Sequence, residues 1–156
     1  ARAEAAGLAR YEVSAYAQSG HRCWHNLNYW QFGDYLGIGA GAHSKLSFAH
    51  RIGRPVRVRD PRLYMERAMA GDAVVSADEV SRKQLPFEFM LNALRLRDGF
   101  TLQQFTERTG LPLSSIDLAL QQAQDQGWVT LDASWVKPTA RGFDFLSDLQ
   151  SLFLAD

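Results

Sequence analysis

The sequence predicts an α+β fold in which a strand-rich, glycine-rich first part is followed by a mostly helical domain with a winged-helix arrangement. Three observations predict it. Short apolar runs interrupted by glycines occupy residues 1–59, and apolar residues at helical spacing dominate residues 77–156. Between them, an Asp-Pro pair opens a helix in the segment 60–76. We therefore expect two domains that are joined by a connecting helix and linker.

Five short elements are predicted before residue 60: the end of a helix over residues 1–9, and strands over residues 11–17, 35–38, 45–49 and 55–59. The first strand is predicted from alternating side chains and ends at Ser19-Gly20. The second is an apolar run between glycines, which is typical of a fully buried strand. Asp60 is a favoured N-cap and Pro61 a favoured first helical residue, so a helix is expected to begin there.

Three helices, a hairpin and a closing helix are predicted after residue 77. Thr101 with Gln104 resembles a capping box for the second helix, and Thr139 is expected to start the last one. Two short strands, 128–131 and 135–136, flank a tight turn and predict the hairpin. The residues expected to face inward from the helices are Phe87, Met90, Leu91, Leu94, Ile116, Ala119, Leu120, Ala123, Phe145, Leu149 and Leu152.

Composition excludes several classes of protein. The chain has 156 residues, 17 basic and 17 acidic side chains, and one cysteine, so it is not a disulfide-stapled secreted scaffold. No charge-free stretch approaches the roughly 20 apolar residues of a membrane span, and no signal peptide is recognisable. We predict a cytoplasmic protein without a transmembrane segment. Because the first methionine is Met65, we also expect a missing part upstream.

The third helix argues against a nucleic-acid partner, although a winged-helix arrangement often suggests one. Residues 113–126 contain two aspartates, four glutamines and no lysine or arginine. A helix that lies in the major groove needs positive charge near the phosphates, and this helix would repel them. We therefore expect no binding of nucleic acid by this domain.

Residues able to support chemistry are concentrated in the first 60 residues, which hold all four histidines and the cysteine. The same 60 residues carry 8 basic and 4 acidic side chains. His21, Cys23 and His25 would share one face of an extended chain and form a candidate metal site. A structural zinc site needs four ligands, so the favoured interpretation is that these are polar side chains exposed to solvent, or that the cysteine is simply buried.

The glycine-rich segment Gly37–Ala42 matches the relaxed dinucleotide pattern G-x-G-x-x-A, with Asp60 about 20 residues further on. The residues that follow lack helical periodicity, so a tight turn where two backbones pass closely is favoured over a Rossmann fold. Such a turn, at the end of a buried strand, is still a place where a ligand can touch backbone.

The string His25-Asn26-Leu27-Asn28-Tyr29-Trp30 is the most informative one. Asn26 is a candidate cap for a short helix, in which Tyr29 and Trp30 follow His25 at positions i+4 and i+5. An imidazole beside two aromatic rings can ligate haem iron while the rings pack on the macrocycle. An aromatic cluster around a hydrogen-bonded histidine is the alternative, and the residues alone favour it.

The order of several strings resembles the radical S-adenosylmethionine proteins related to oxygen-independent coproporphyrinogen III oxidase, and more narrowly their haem chaperone branch. The resemblance covers the whole chain and matches the C-terminal portion of a family member. It implies the last strands of a partial (β/α) barrel, followed by the winged-helix-like domain. The strings are Tyr11–Ser14, Gly20-His21, Cys23, His25–Trp30, Gly33–Ser44 and Pro86–Leu96.

The resemblance also implies ligands. The H-N-x-x-Y-W motif is associated with haem, which makes His25 the candidate iron ligand and Asn26, Tyr29 and Trp30 its neighbours. The positions expected near S-adenosylmethionine are Gly37, Gly39, Ala40 and Gly41. The expected partners are haem or another porphyrin and the proteins that accept haem, and exposed barrel edges make a homodimer an expectation.

Radical chemistry does not carry over to this chain. The family binds a 4Fe-4S cluster through three cysteines spaced C-x-x-x-C-x-x-C, and Cys23 is the one cysteine here. The chain alone is therefore not expected to cleave S-adenosylmethionine. The resemblance leaves two functions for the intact protein: a haem chaperone, which the motif favours, or an oxidase that decarboxylates coproporphyrinogen III to protoporphyrinogen IX.

Overall fold

A computed structural model of the chain describes residues 2–155. Within that range the helices are α1 (Arg2–Ala5), α2 (Trp24–Trp30), α3 (Pro61–Met69), α4 (Leu85–Ala93), α5 (Leu102–Thr109), α6 (Asp117–Asp125), α7 (Ala140–Asp144) and α8 (Leu146–Ser151). The strands are β1 (Ala9–Arg10), β2 (Tyr16–Ala17), β3 (Leu46–Ser47), β4 (Ile52–Arg57), β5 (Val74–Glu79), β6 (Phe100–Thr101), β7 (Val129–Asp132) and β8 (Trp135–Pro138). This mixture agrees with the predicted combination of helices and small sheets. Every helix in the described part of the chain is too short or too polar to cross a bilayer.

The chain divides into two compact units. Gly33–Ser81 forms one unit, and the segments before and after it together form the other. This division differs from the predicted segments 1–59, 60–76 and 77–156. The physical reason is strand pairing: β5 is antiparallel to β4, from Gly53 opposite Glu79 to Arg57 opposite Val74, so the expected linker ends in a strand of the same sheet.

The unit Gly33–Ser81 is built on one antiparallel sheet with the order β3-β4-β5. Helix α3 connects β4 to β5 and begins as predicted, because the Asp60 carboxylate accepts a 2.8 Å hydrogen bond from the Leu63 amide. All strand pairs in residues 2–155 are antiparallel, whereas the strands of a (β/α) barrel are parallel.

The prediction of a fully buried strand over residues 35–38 is wrong. Tyr35 forms an isolated bridge with Lys45, and the next residues do not join a sheet. Leu36 is exposed, and Ile38 exposes 79% of its surface. The chain folds back on itself at Gly37, where a Cβ atom would lie 2.2 Å from the His43 carbonyl oxygen. An apolar run can thus belong to a tight loop rather than to a strand.

The predicted strand over residues 11–17 is also wrong, because the chain reverses direction inside it. Strand β1 pairs with β2, with Ala9 opposite Ala17. The reversal is held by Glu12, whose Oε1 accepts 2.8 Å hydrogen bonds from both the amide and the hydroxyl of Ser14. A turn that is held by hydrogen bonds between a side chain and the nearby backbone competes with the extended conformation that the alternating pattern favours.

The second unit contains the main hydrophobic core, which lies among α4, α5, α6, α8 and a sheet with the order β6-β8-β7. Both predicted helix caps are confirmed: Thr101 accepts a 3.0 Å bond from the Gln104 amide, and Thr139 does the same for Gly142. The predicted hairpin is the pair β7 and β8, and Ala133 in its turn has a φ of 49°.

Five residues predicted to face inward are not fully buried: Leu91 and Phe145 are exposed, and Phe87, Ala119 and Leu152 are half-buried. Helix α4 packs against both α5 and α8, so it buries Phe89, which was not predicted, together with Met90, which was. Phe145 exposes 48% of its surface. It lies where α7 ends and α8 begins, with its ring stacked on Trp128 at a centroid distance of 6.2 Å.

Candidate functional site

Helix α2 carries the H-N-x-x-Y-W string, and it begins one residue after Cys23. Asn26 therefore lies inside the helix and is not its cap, contrary to the prediction. Its side-chain amide instead donates a 3.3 Å hydrogen bond to the Tyr11 hydroxyl. Asn26 thus ties α2 to the segment between β1 and β2 and supports the helix from within the unit.

His25 is exposed on the first turn of α2. Its ring packs edge-on against Tyr29, with centroids 4.8 Å apart and planes at 72°. No hydrogen bond to the imidazole is found within residues 2–155. A neutral imidazole with an accessible nitrogen is the group that binds haem iron axially, so His25 has the chemistry and the access that this role requires.

Trp30 has a different environment from the one predicted. The guanidinium carbon of Arg95 lies 4.2 Å from the Trp30 ring centroid, so the guanidinium covers one face of the indole. The indole Nε1 is buried and has no hydrogen-bond partner within residues 2–155. Arg95 in turn donates to Glu12 at 3.2 Å. Trp30 therefore anchors α2 to its own unit through a cation–π contact.

Trp24 is a candidate ligand contact that the sequence reasoning missed. It exposes 83% of its surface and, with Leu27, lines a largely apolar depression of about 290 Å³. Ser19, Gly20 and Arg22 complete the lining. The signal in the sequence was the spacing of Trp24 and Leu27, which places both on one face of a helix that also carries His25.

The candidate metal site of His21, Cys23 and His25 is not formed. The chain is helical from Trp24, so these side chains do not share the face of an extended strand. In the described part of the chain, no three His, Cys, Asp or Glu side chains converge as metal ligands. The donor set also does not fit a 4Fe-4S cluster, since the chain has one cysteine.

The amides of the glycine turn already bond within the chain. The Gly37 amide donates to the Ser44 hydroxyl at 2.9 Å, and the Gly39 amide donates to the Tyr64 hydroxyl at 3.2 Å. The Gly41 amide bonds a backbone carbonyl at 2.7 Å. At Gly39 the φ is +105° and a Cβ would meet no atom within 4 Å, so the turn is open to solvent there. A bound group could approach the turn at this point.

The turn leads into an antiparallel sheet and is not followed by a helix, so it is not the phosphate-binding turn of a Rossmann fold. The predicted close approach of two backbones is observed at Gly37 and His43.

An ion pair closes the base of this loop. Lys45 is almost fully buried, and its ammonium donates to Asp34 at 2.9 Å. The Asp34 carboxylate also accepts 2.8 and 2.7 Å bonds from the amide and hydroxyl of Ser47. Burial by itself raises the pKa of Asp34, but these hydrogen bonds and the charge of Lys45 outweigh it and hold the pKa below 3.8.

We expect Asp34→Asn to destabilise the loop by about 2 kcal/mol, because the buried Lys45 ammonium loses the charged carboxylate to which it donates. A carboxylate whose folded pKa is lowered stabilises the fold above its ordinary pKa. That stability is lost as the pH falls below 3.8 and through the lowered value. Hydrogen exchange of the Ser47 amide measures both effects, and Asp72→Asn is a surface control. Equal protection in both variants would contradict the assignment.

Comparisons with known proteins bear on the whole chain. Residues 80–145 match the family model described as the HemN C-terminal domain. The chain is 43% identical over 153 residues to heme chaperone HemW of Escherichia coli, and 39% identical over 152 residues to heme chaperone HemW of Haemophilus influenzae. Each alignment covers 97% of this chain and 39% of the relative.

Among solved structures, coproporphyrinogen III oxidase (HemN) from Escherichia coli, a radical SAM enzyme, is similar with a TM-score of 0.62. That similarity covers 97% of this chain and 38% of the other at 13% identity, so it concerns the fold alone. The chain spans 39% of the length of the curated relatives named above. The resemblance predicted from the motifs is confirmed: residues 80–145 belong to the family of the HemN C-terminal domain, and nearly the whole chain is related to the proteins named heme chaperone HemW.

Proposed function

We propose that the intact protein binds haem through His25 and passes it to acceptor proteins. The observation that carries the proposal is the state of the imidazole: it is exposed, makes no hydrogen bond within residues 2–155, and packs edge-on against Tyr29. When haem is bound, its iron would accept this nitrogen as a ligand. The name heme chaperone, carried by relatives at 43% and 39% identity, supports the same role.

The other motif residues have supporting roles in this proposal. Asn26 and Trp30 hold α2 through Tyr11 and Arg95, so they orient His25 without needing to touch the porphyrin. Tyr29 keeps the imidazole ring in one orientation and adds an aromatic edge beside it.

S-adenosylmethionine and a 4Fe-4S cluster are proposed for the intact protein. Cys23 by itself does not supply the thiolates of a cluster, so those would come from elsewhere in the protein. For S-adenosylmethionine we propose the glycine turn, with Gly37, Gly39, Ala40 and Gly41 as backbone neighbours. The open surface at Gly39 supports this assignment, and no step of chemistry is assigned to the turn.

Further features belong to the same proposal. We propose a winged-helix-like domain for the helices α4 to α6 with β6-β8-β7, which is supported by that strand order, and a partial barrel for the intact protein. A cytoplasmic location fits the single cysteine. A homodimer could form along β5, because its backbone pairs on one side only and its side chains are largely exposed.

The His25→Ala variant of the intact protein is expected to lose the Soret signature of ligated haem and to bind haem at least tenfold more weakly, because the iron loses its nitrogen ligand. The measurement is a haem titration followed by absorbance. His21→Ala is the matched control, since His21 is also exposed but lies outside the helix.

Equal haem spectra for His25→Ala and His21→Ala would refute His25 as the ligand. Anaerobic decarboxylation of coproporphyrinogen III by the intact protein under reducing conditions would instead favour the oxidase. That alternative has support from the fold, through a structure at 13% identity.

A further inference from the structure

A basic pocket of about 550 Å³ lies in the unit that carries α2. Its charged lining consists of Arg10, Arg22, Arg97 and Lys137, together with one carboxylate, Asp98. The proposed role of His25 uses none of these residues. Four cations against one carboxylate make the pocket strongly positive, and such a pocket favours an anion.

Long-range backbone contacts assemble the basic pocket. The Arg97 amide donates a 3.0 Å bond to the Tyr11 carbonyl, which places Arg97 beside the strand that carries Arg10. Gly99 has a φ of +71°, and a Cβ there would lie 1.9 Å from the carbonyl oxygen of Val136. Only glycine therefore allows the turn after α4 to approach β8, the strand that carries Lys137.

Two of the guanidinium groups are held in place by one ring. The guanidinium carbons of Arg10 and Arg97 lie 5.8 and 5.4 Å from the ring centroid of Phe143. Arg10 also donates to the carbonyl oxygens of Glu12 and Val13. These contacts orient both groups before any ligand arrives, which lowers the entropic cost of binding.

The carboxylates nearby do not balance the charge. Arg22 pairs with Asp98 at 2.5 Å, and Arg97 is within electrostatic reach of the exposed Glu4. Lys137 is exposed and has no ion-pair partner within residues 2–155. The pocket therefore keeps positive charge for an external anion.

Arg22 connects this charge to an apolar surface. It lines both the basic pocket and the largely apolar depression formed with Trp24 and Leu27 on α2. A ligand that fills both must have an apolar body and anionic groups at its edge. A simple phosphate would satisfy the cations and leave the depression empty, and a neutral apolar molecule would do the reverse.

We infer that the basic pocket binds the carboxylate side chains of a tetrapyrrole whose macrocycle lies against the apolar depression on α2. The inference rests on the proposed function for the identity of the ring. It adds residues that neither the motif nor the resemblance assigns: Arg22, Arg97 and Lys137 as carboxylate-binding residues and Trp24 as a contact for the macrocycle.

The test compares haem with haem dimethyl ester, whose carboxylates are masked, and with metal-free protoporphyrin IX, which needs no iron ligand. The intact protein is titrated with each at low and high salt. The variants are Arg97→Gln with Lys137→Gln, and a matched control, Arg108→Gln with Lys83→Gln, that removes two exposed cations outside the pocket. Arg10 is left intact because it bonds backbone carbonyls.

We expect the pocket variant to bind haem and protoporphyrin IX about fivefold more weakly at low salt, with a smaller loss at high salt. The ester should bind both double variants equally. His25→Ala should lose the Soret signature yet keep its affinity for protoporphyrin IX, which separates the two assignments.

Equal affinities of the pocket variant and its control for all three probes would overturn the inference, whereas a lost Soret signature in His25→Ala would still uphold the proposed function. If His25→Ala kept the Soret signature while the pocket variant bound haem more weakly, the inference would stand and the proposed role of His25 would be wrong. If the ester loses as much affinity as haem does, the carboxylates are not the groups recognised, and the inference is wrong.

Discussion

Replacement of Glu12 by alanine is expected to lower the free energy of unfolding by about 3 kcal/mol, because it leaves a largely buried cation without its partner. The Glu12 side chain is 1% exposed and accepts a 3.2 Å bond from Arg95, whose side chain is 27% exposed. The same carboxylate holds the turn at Ser14 through two 2.8 Å bonds. Because Arg95 also covers Trp30, the loss should loosen α2.

The pH dependence of Glu12 has a definite sign. Burial raises the pKa of Glu12, but the hydrogen bonds from Ser14 and the charge of Arg95 outweigh burial and hold the pKa below 4.5. The stabilisation is therefore complete above 4.5 and is lost as the pH falls through the lowered value.

Urea unfolding curves at neutral and acidic pH measure both effects. Glu107→Ala is the control, since Glu107 is exposed and pairs with Gln103 on the surface of α5. Similar losses in the two variants would show that Glu12 does not carry the structural role assigned to it.

Phe89→Ala is expected to lower the free energy of unfolding by about 4 kcal/mol, because it removes a fully buried aromatic ring and leaves a cavity. Phe89 is 0% exposed and sits at the centre of an aromatic cluster. Its ring makes edge-on contacts with Phe32, Phe100 and Phe105 at centroid distances of 5.6, 5.0 and 5.2 Å. Phe32 lies in the turn that follows α2, so the cluster joins that helix segment to the C-terminal helices.

Phe145→Ala is the matched control for Phe89→Ala. Phe145 was predicted to face inward, but it is about half exposed and stacks on Trp128. We expect it to cost about 1 kcal/mol. The midpoint and slope of denaturant unfolding give both values, and a loss for Phe145→Ala as large as that for Phe89→Ala would place the core elsewhere.

Elements governed by short-range chemistry were predictable from the sequence. Asp60-Pro61, Thr101 with Gln104 and Thr139 each place a helix start through a hydrogen bond that spans three residues. The hairpin of β7 and β8 likewise depends on the residues between its two strands. The order of several strings, of which the His25 motif is one, was sufficient to indicate the family. The assignment of His25 as the haem ligand stays a prediction.

Elements governed by distant partners were not predictable. The loop found at residues 35–38, where a strand was expected, leads into a turn whose Gly39 amide donates to the Tyr64 hydroxyl, 25 residues further on. The turn found inside residues 11–17 depends on Glu12, whose carboxylate accepts from Arg95, 83 residues further on. The buried face of α4 was misassigned because two other helices pack on it at once. Local spacing does not contain this information.

By itself, the sequence determined the local signals: helix starts, the hairpin, the single cysteine and the histidine string that marks the family. Tertiary structure alone decided what surrounds that string. Glu12 and Arg95 are 83 residues apart, yet their hydrogen bond helps to hold the Arg95 guanidinium over one face of the Trp30 ring. The cations of the basic pocket likewise come from four separate segments of the chain. The physical reason is that hydrogen bonds within a turn form between neighbours in the chain, whereas burial and charge clustering depend on which distant segments pack together.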